Sequence, residues 1–258
     1  SYSLLSSTVR IRSYVKQAKA LGYQTLAITD INVLHGVVEF YEACQEAGIQ
    51  PIIGLRLEYT PVEKEGHSEL LLFAKNLKGY QQLMQLSSSK MTTEGPFYLA
   101  EHQSLLSDLF AVTLSAKGEV AQTFFEDEQQ AVHAFQQLAS YFDPQSLFVE
   151  HSFSMNQQRN PALFSFYQRE QLPGVALQEV RHLTREEGFA VTVLESIKEN
   201  NQLNITSQTP EIEGLNYLRE AETTMEQMLQ IAGAEVVQNT IQLAENCRVD
   251  IPLHQKLL

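Results

Sequence analysis

The chain has 258 residues, 43% of them hydrophobic, which is enough for one large α/β domain or two small ones with a substantial core. Its formal net charge of −13, with Lys and Arg few and dispersed, argues against a broad basic surface for nucleic-acid phosphates. No signal peptide is visible and no apolar run approaches the roughly 20 residues that a membrane span needs, and Cys44 and Cys247 are far apart without metal spacing, so both are expected to be buried thiols of a cytoplasmic protein.

Helical and extended patterns alternate along the chain. Val9, Ile11, Tyr14, Val15, Ala18 and Leu21 share a helical face, and Gly22 ends it. Residues 25–29 form a short apolar strand. Residues 37–47 are helical and close at Gly48. Residues 49–59 are extended, with Pro51 near the start, and residues 70–74 read as a buried strand. A helix over 77–88 leads into a Ser- and Thr-rich stretch, 87–95, predicted as a loop. Further strands are predicted at 109–114, 147–150 and 175–177. Helices are predicted at 128–141, at 161–170 with Pro161 in its first turn, and at 184–198, where Thr184 and Glu187 make a capping box. These six or seven strands, each followed by a helix or loop, imply a mainly parallel α/β sheet, more barrel than open sheet. The barrel is assigned to residues 1–200. Residues 201–258 change character: a polar stretch, two consecutive helices at 221–231 and 234–246, and a linker-like end.

The chemistry is carried by strand ends, where ligands and metals sit in parallel α/β folds. Asp30, Glu58, Glu150 and Glu179 lie at or near predicted strand ends. Such acids bind divalent metal or do acid–base work, or they pair with strand-end cations, here Arg56 and Arg181. The ion-pair reading is preferred, because a guanidinium repels a metal cation a few Å away. The seven histidines make no HxH, HExxH or other ligand pair. His151 and His182 each follow a strand and are the two to watch. No nucleophile elbow, dinucleotide fingerprint or P-loop is present.

Several blocks follow one another in order: Tyr2-Ser3-Leu4-Leu5; Leu26-Ala27-Ile28-Thr29-Asp30 with Gly36, Phe40 and Tyr41; and Gly48-Ile49-Gln50-Pro51-Ile52-Ile53-Gly54. Further on come Leu71-Leu72-Phe73-Ala74-Lys75-Asn76 with Gly79, Tyr80, Leu83, Leu86 and Ser87, then Asn216-Tyr217-Leu218, and finally Asn239-Thr240 with Ala244 and Cys247. Together they resemble the PHP (polymerase and histidinol phosphatase) domains at the head of bacterial DNA polymerase III α subunits, and the resemblance spans nearly the whole chain. It implies a distorted seven-stranded (β/α) TIM-like barrel with extra C-terminal helices. In active members a trinuclear metal cluster at the strand rim hydrolyses phosphoesters or proofreads.

This chain departs from the family's ligand pattern repeatedly. The first HxH would fall before Ser1. The His expected after Asp30 is Ile31, the Glu expected after Gly54 is Arg56, and the His expected before Leu70 is Glu69. A Cys or His near 109–114 is Ser115, and the closing Asn-Asp-x-His reads Gln178-Glu179-Val180-Arg181. At most Asp30, Glu69 and Glu179 survive as ligands. The imidazoles and thiolate that zinc or iron would want are missing. The expectation is a vestigial site without catalytic or metal-binding residues, in which Arg56 and Arg181 neutralise Asp30, Glu69 and Glu179. The domain is then a scaffold and interaction platform for the rest of the α subunit and other replisome proteins, without a direct grip on DNA. It needs no cofactor of its own, Mg²⁺ belonging to a polymerase palm outside the chain. The alternatives are a metal-dependent phosphoesterase, proofreading exonuclease or pyrophosphatase with an atypical site, and a stand-alone phosphatase.

Overall fold

A computed structural model describes residues 9–62, 66–152, 160–188 and 216–253. Helix α1 (Ile11–Ala20) precedes β1 (Thr25–Ile31), α2 (Val37–Ala47), β2 (Gln50–Tyr59), β3 (Ser68–Ala74) and α3 (Leu77–Thr92). A 3-10 turn at Leu99–Leu105 leads to β4 (Leu109–Thr113), α4 (Glu119–Phe124), α5 (Glu128–Ala139), β5 (Leu147–Ser152), α6 (Pro161–Arg169) and β6 (Gly174–Leu177). Beyond lie a 3-10 turn at Arg185–Glu187, α7 (Ala221–Ala232) and α8 (Ala234–Asn246). Most of the helix expected over 184–198, and the polar stretch before 216, lie outside the described residues. Among the described residues no helix is long and apolar enough to cross a membrane.

The six strands form one curled half-barrel sheet in the order β1-β2-β3-β4-β5-β6. A closed seven-stranded barrel is not seen among the described residues. The sheet is mixed rather than mainly parallel: β1–β2, β4–β5 and β5–β6 are parallel, but β3 runs antiparallel to both β2 and β4. Residues 60–67 between β2 and β3 are too few for the crossover of a dozen or more residues that parallel neighbours need. This reversal matters for the site. It brings the first residues of β3, not its last, to the rim where the other strands end.

Period-two alternation separates two faces of the sheet. One carries Leu26, Ile28, Ile53, Leu55, Leu57, Leu70, Leu72, Leu109, Ala111, Leu147 and Val149 and packs against the surrounding helices. The other carries Ile52, Leu71, Phe73, Val112, Leu114, Phe148 and Val175 and is covered by Leu243 and Cys247 at the end of α8. Helix α8 also satisfies the backbone of edge strand β6. Thr240 Oγ1 accepts the Ala176 N–H at 2.7 Å, and Asn239 Nδ2 donates to Gly174 O at 3.0 Å. Gln50 Nε2 on β2 donates to Ala244 O and Cys247 O at 2.7 and 3.0 Å. Bare edge groups are costly to leave unpaired, so the Asn239-Thr240 pair has a definite job.

The stretch 87–95, expected as a loop, instead continues α3 to Thr92. Its hydroxyls turn back onto the helix, Thr92 Oγ1 donating to Ser88 O at 2.9 Å. Ser87 Oγ donates to Asn32 O at 2.8 Å and ties the helix to the end of β1. The short helix α4 was not expected from sequence.

Candidate functional site

The face covered by α8 becomes charged toward the rim. Continuing the alternation past Ile52, Leu71 and Phe148 puts Arg56, Glu58, Glu69 and Glu150 on that face, and Glu179, just beyond β6, meets Arg56 there. The rim opens on a cleft of about 1020 Å³ whose lining includes Arg56, Ser115, Glu150, Glu179 and Arg181.

Arg56 is the centre of this group. Its Nε donates to Glu69 Oε2 at 2.5 Å and its Nη1 to Glu179 Oε1 at 2.8 Å. Lys117, in the turn after β4, reaches the other oxygen, Glu69 Oε1, at 2.9 Å. Glu69 is 2% exposed, Arg56 20% and Glu179 49% at the side chain. Burial alone would raise the Glu69 pKa, but Arg56 and Lys117 outweigh it and hold the carboxyl below its ordinary value. Burial likewise opposes the charge on Arg56, and Glu179 and Glu69 more than restore it.

Asp30 shares the face of β1 with Leu26 and Ile28, and a side chain placed at Gly36 would meet Asp30 Oδ2, Ile28 Cδ1 and Ile11 Cδ1 together. It also lines the cleft with Arg56 and Arg181, while the Arg56 bonds to Glu69 and Glu179 are those given above. A strand turns successive side chains to opposite faces, so Ile31 is the residue that stands opposite Arg56 in the ladder. Arg181 lines the cleft, and its N–H donates to Asn216 O at 2.8 Å.

Two residues that sequence reasoning did not single out complete the rim. One is Lys117. The other is Asn32, at a left-handed φ of 58°, a conformation that Asn tolerates better than most residues. Asn32 Nδ2 donates to Glu58 Oε2 at 2.8 Å, Asn32 Oδ1 accepts the Glu58 N–H at 2.9 Å, and the Asn32 N–H donates to Arg56 O at 2.8 Å. Glu58 is thus held by an amide clamp at the ends of β1 and β2. The signal was a strand-end Asn, which alone is weak.

Glu150 is buried beside the cluster. Ser115 donates to its Oε2 from both the backbone N–H and Oγ, each at 2.8 Å. Burial raises its pKa, the Ser115 bonds oppose that shift, and the nearby Glu179 charge adds to it. A carboxyl with a raised folded pKa contributes stability below its unfolded pKa and loses it as pH rises through the folded value. Glu150→Gln keeps the acceptor for Ser115 and removes the titration. The variant is expected to melt above the parent at about pH 8 and to converge with it below about pH 4. A pH series of melting temperatures checks this, and parallel curves would contradict it.

The two watched histidines do not converge. His182 is buried and its Nδ1 lies 2.6 Å from Thr184 O. His151 shares the helix-side face with Leu147 and Val149, lies edge-on to Phe164 and Tyr167, and burial pushes its pKa down to about 4. Among the described residues no group of three His, Cys, Asp or Glu has the placement to hold a metal ion. The donors present do not fit the family's trinuclear cluster. Glu69 and Glu179 are spanned by a guanidinium, Glu150 is held by Ser115, and no imidazole of the described residues is bonded to them.

Against known proteins, a family model described as "PHP domain" matches residues 1–152. The chain is similar to "DNA polymerase III subunit alpha" of Bacillus subtilis, 30% identical over 100% of this chain and 23% of that protein. The same-named protein of Halalkalibacterium halodurans is 31% identical over 98% of this chain and 22% of its own length. The chain thus spans about a quarter of the length of these relatives. Among solved structures, an amidohydrolase from Chromobacterium violaceum is similar at a TM-score of 0.46 and 11% identity, covering 69% of this chain and 84% of that one.

Proposed function

Because the chain belongs to the PHP family, we propose that it is the PHP domain at the head of a replicative DNA polymerase III α subunit, itself without phosphoesterase chemistry, serving as a scaffold and docking platform. In this reading the six strands are part of the family's distorted seven-stranded barrel. The observation that carries it is the Arg56 guanidinium bonded to both Glu69 and Glu179 at the rim. A fixed cation there repels metal ions and occupies the carboxylate oxygens they would need. The match of the whole chain to polymerase α relatives supports the assignment to that subunit.

The partners in this reading are the remainder of the α polypeptide and other replisome proteins in the cytoplasm. A net charge of −13 suits protein docking better than a direct grip on DNA. No step here requires a cofactor, and Mg²⁺ belongs to a palm outside this chain. The competing reading, an atypical metal-dependent phosphoesterase, exonuclease or pyrophosphatase, has Glu150 and Glu179 lining the same cleft in its favour. An assay of the purified chain for metal-dependent hydrolysis of a 3′-mismatched primer separates the two.

A further inference from the structure

The ion pairs at the rim connect parts of the sheet that hydrogen bonding leaves apart. Arg56 lies on β2 and Glu69 on β3, which are ladder neighbours. Glu179 follows the end of β6, at the far edge of the sheet from β1. One guanidinium therefore reaches from the second strand of the sheet to the chain leaving its last strand. Its two donors are used separately, Nε toward β3 and Nη1 toward the segment after β6.

We infer that Arg56 is an electrostatic latch that holds the chain leaving β6 across the rim and so keeps the open sheet curled. The inference rests on the reading that this rim binds no metal. A metal cluster ties converging strand ends through shared ligands, and here a covalently attached cation ties them instead. Guanidinium suits the task because its planar fork presents separate donors in fixed directions, while an ammonium is a point charge on a flexible stem. Neutral contacts also hold the same segment. From the β1 side Tyr23 Oη donates to Gln178 Oε1 at 3.3 Å and Gln17 Nε2 to Leu183 O at 3.2 Å, and Gln178 Nε2 donates to Tyr217 O, ahead of α7, at 2.8 Å.

The two arms of the latch differ in exposure. The Glu69 arm is buried and weakly screened. The Glu179 arm ends on a carboxylate 49% exposed and is open to salt. High ionic strength should therefore loosen the segment after β6 while leaving the β2–β3 pairing intact.

Hydrogen exchange read by mass spectrometry tests the latch, using the purified chain, Glu179→Gln and Arg56→Lys at about 0.05 M and about 1 M NaCl. At low salt the amides of residues 175–183 are expected to exchange roughly tenfold faster in both variants than in the parent, with β3 and β4 unchanged in Glu179→Gln. Raising the salt should move the parent toward the variants, and EDTA should leave it unaltered. Protection that EDTA removes would overturn the metal-free reading beneath the latch. Variants that exchange like the parent, with no EDTA effect, would overturn the latch alone.

Discussion

An Arg56→Met variant is expected to lose about 3 kcal/mol of unfolding free energy, near the lower end of what breaking a buried pair costs. For a chain of this size that is a fall of roughly 6–12 °C in Tm. The loss arises because Glu69 stays almost fully buried with its main counter-ion gone. Lys117 remains within reach and limits the damage, but it is mostly exposed and strongly hydrated. Adding Glu69→Gln to Arg56→Met removes the stranded charge and should recover part of the loss. A double-mutant cycle by chemical denaturation is expected to show a coupling of about 1–3 kcal/mol. Strictly additive variants would mean that Arg56 and Glu69 are not a coupled pair.

Gly118→Ala is the second large effect. A Cβ at Gly118 would run into the carbonyl oxygen and amide nitrogen of Leu114 and into the Thr113 hydroxyl. Two of these three are backbone atoms of β4's end and cannot swing aside as a side-chain tip can. The turn they belong to carries Ser115, which holds Glu150, and Lys117, which holds Glu69. Opening the turn therefore disturbs packing and the charge cluster together. The expected cost is about 3 kcal/mol, at the upper end for overpacking in a tight site. Thermal denaturation measures it, and a Tm equal to the parent would show that the turn relaxes freely. Because the Ser115 bonds oppose the raised Glu150 pKa, loosening them in Gly118→Ala should also enlarge the pH response assigned to Glu150.

The legible parts of the sequence were those where one residue type forces one conformation. Helix α2 was bounded at both ends because the pattern from Val37 to Ala47 stops at Gly48, which takes a left-handed φ of 64°. The two helices after residue 220 were equally clear from their apolar spacing. The direction of β3 was not legible. All seven of its positions are buried, so its burial carries no alternation and the run reads the same either way. Only the short connection from β2 hinted at the reversal.

The site followed the same logic. Arg56 and Glu179 were singled out as strand-end charges and Glu69 from the resemblance, and the structure brings the three together. Asp30, which also ends a strand, lines the same cleft from the face of β1 that Leu26 and Ile28 share. Lys117 had no signal, since a lysine in a turn is ordinary. Its role comes from the antiparallel β3, which brings Glu69 alongside that turn, and no local pattern encodes that meeting.

That fixed side-chain charge, not metal, organises this rim is tested most directly by incubating the purified chain with Mn²⁺ or Zn²⁺ and a primer carrying a 3′ mismatch. No metal-dependent release of the 3′ nucleotide is expected. Release that depends on added metal and disappears in Glu179→Ala would contradict it.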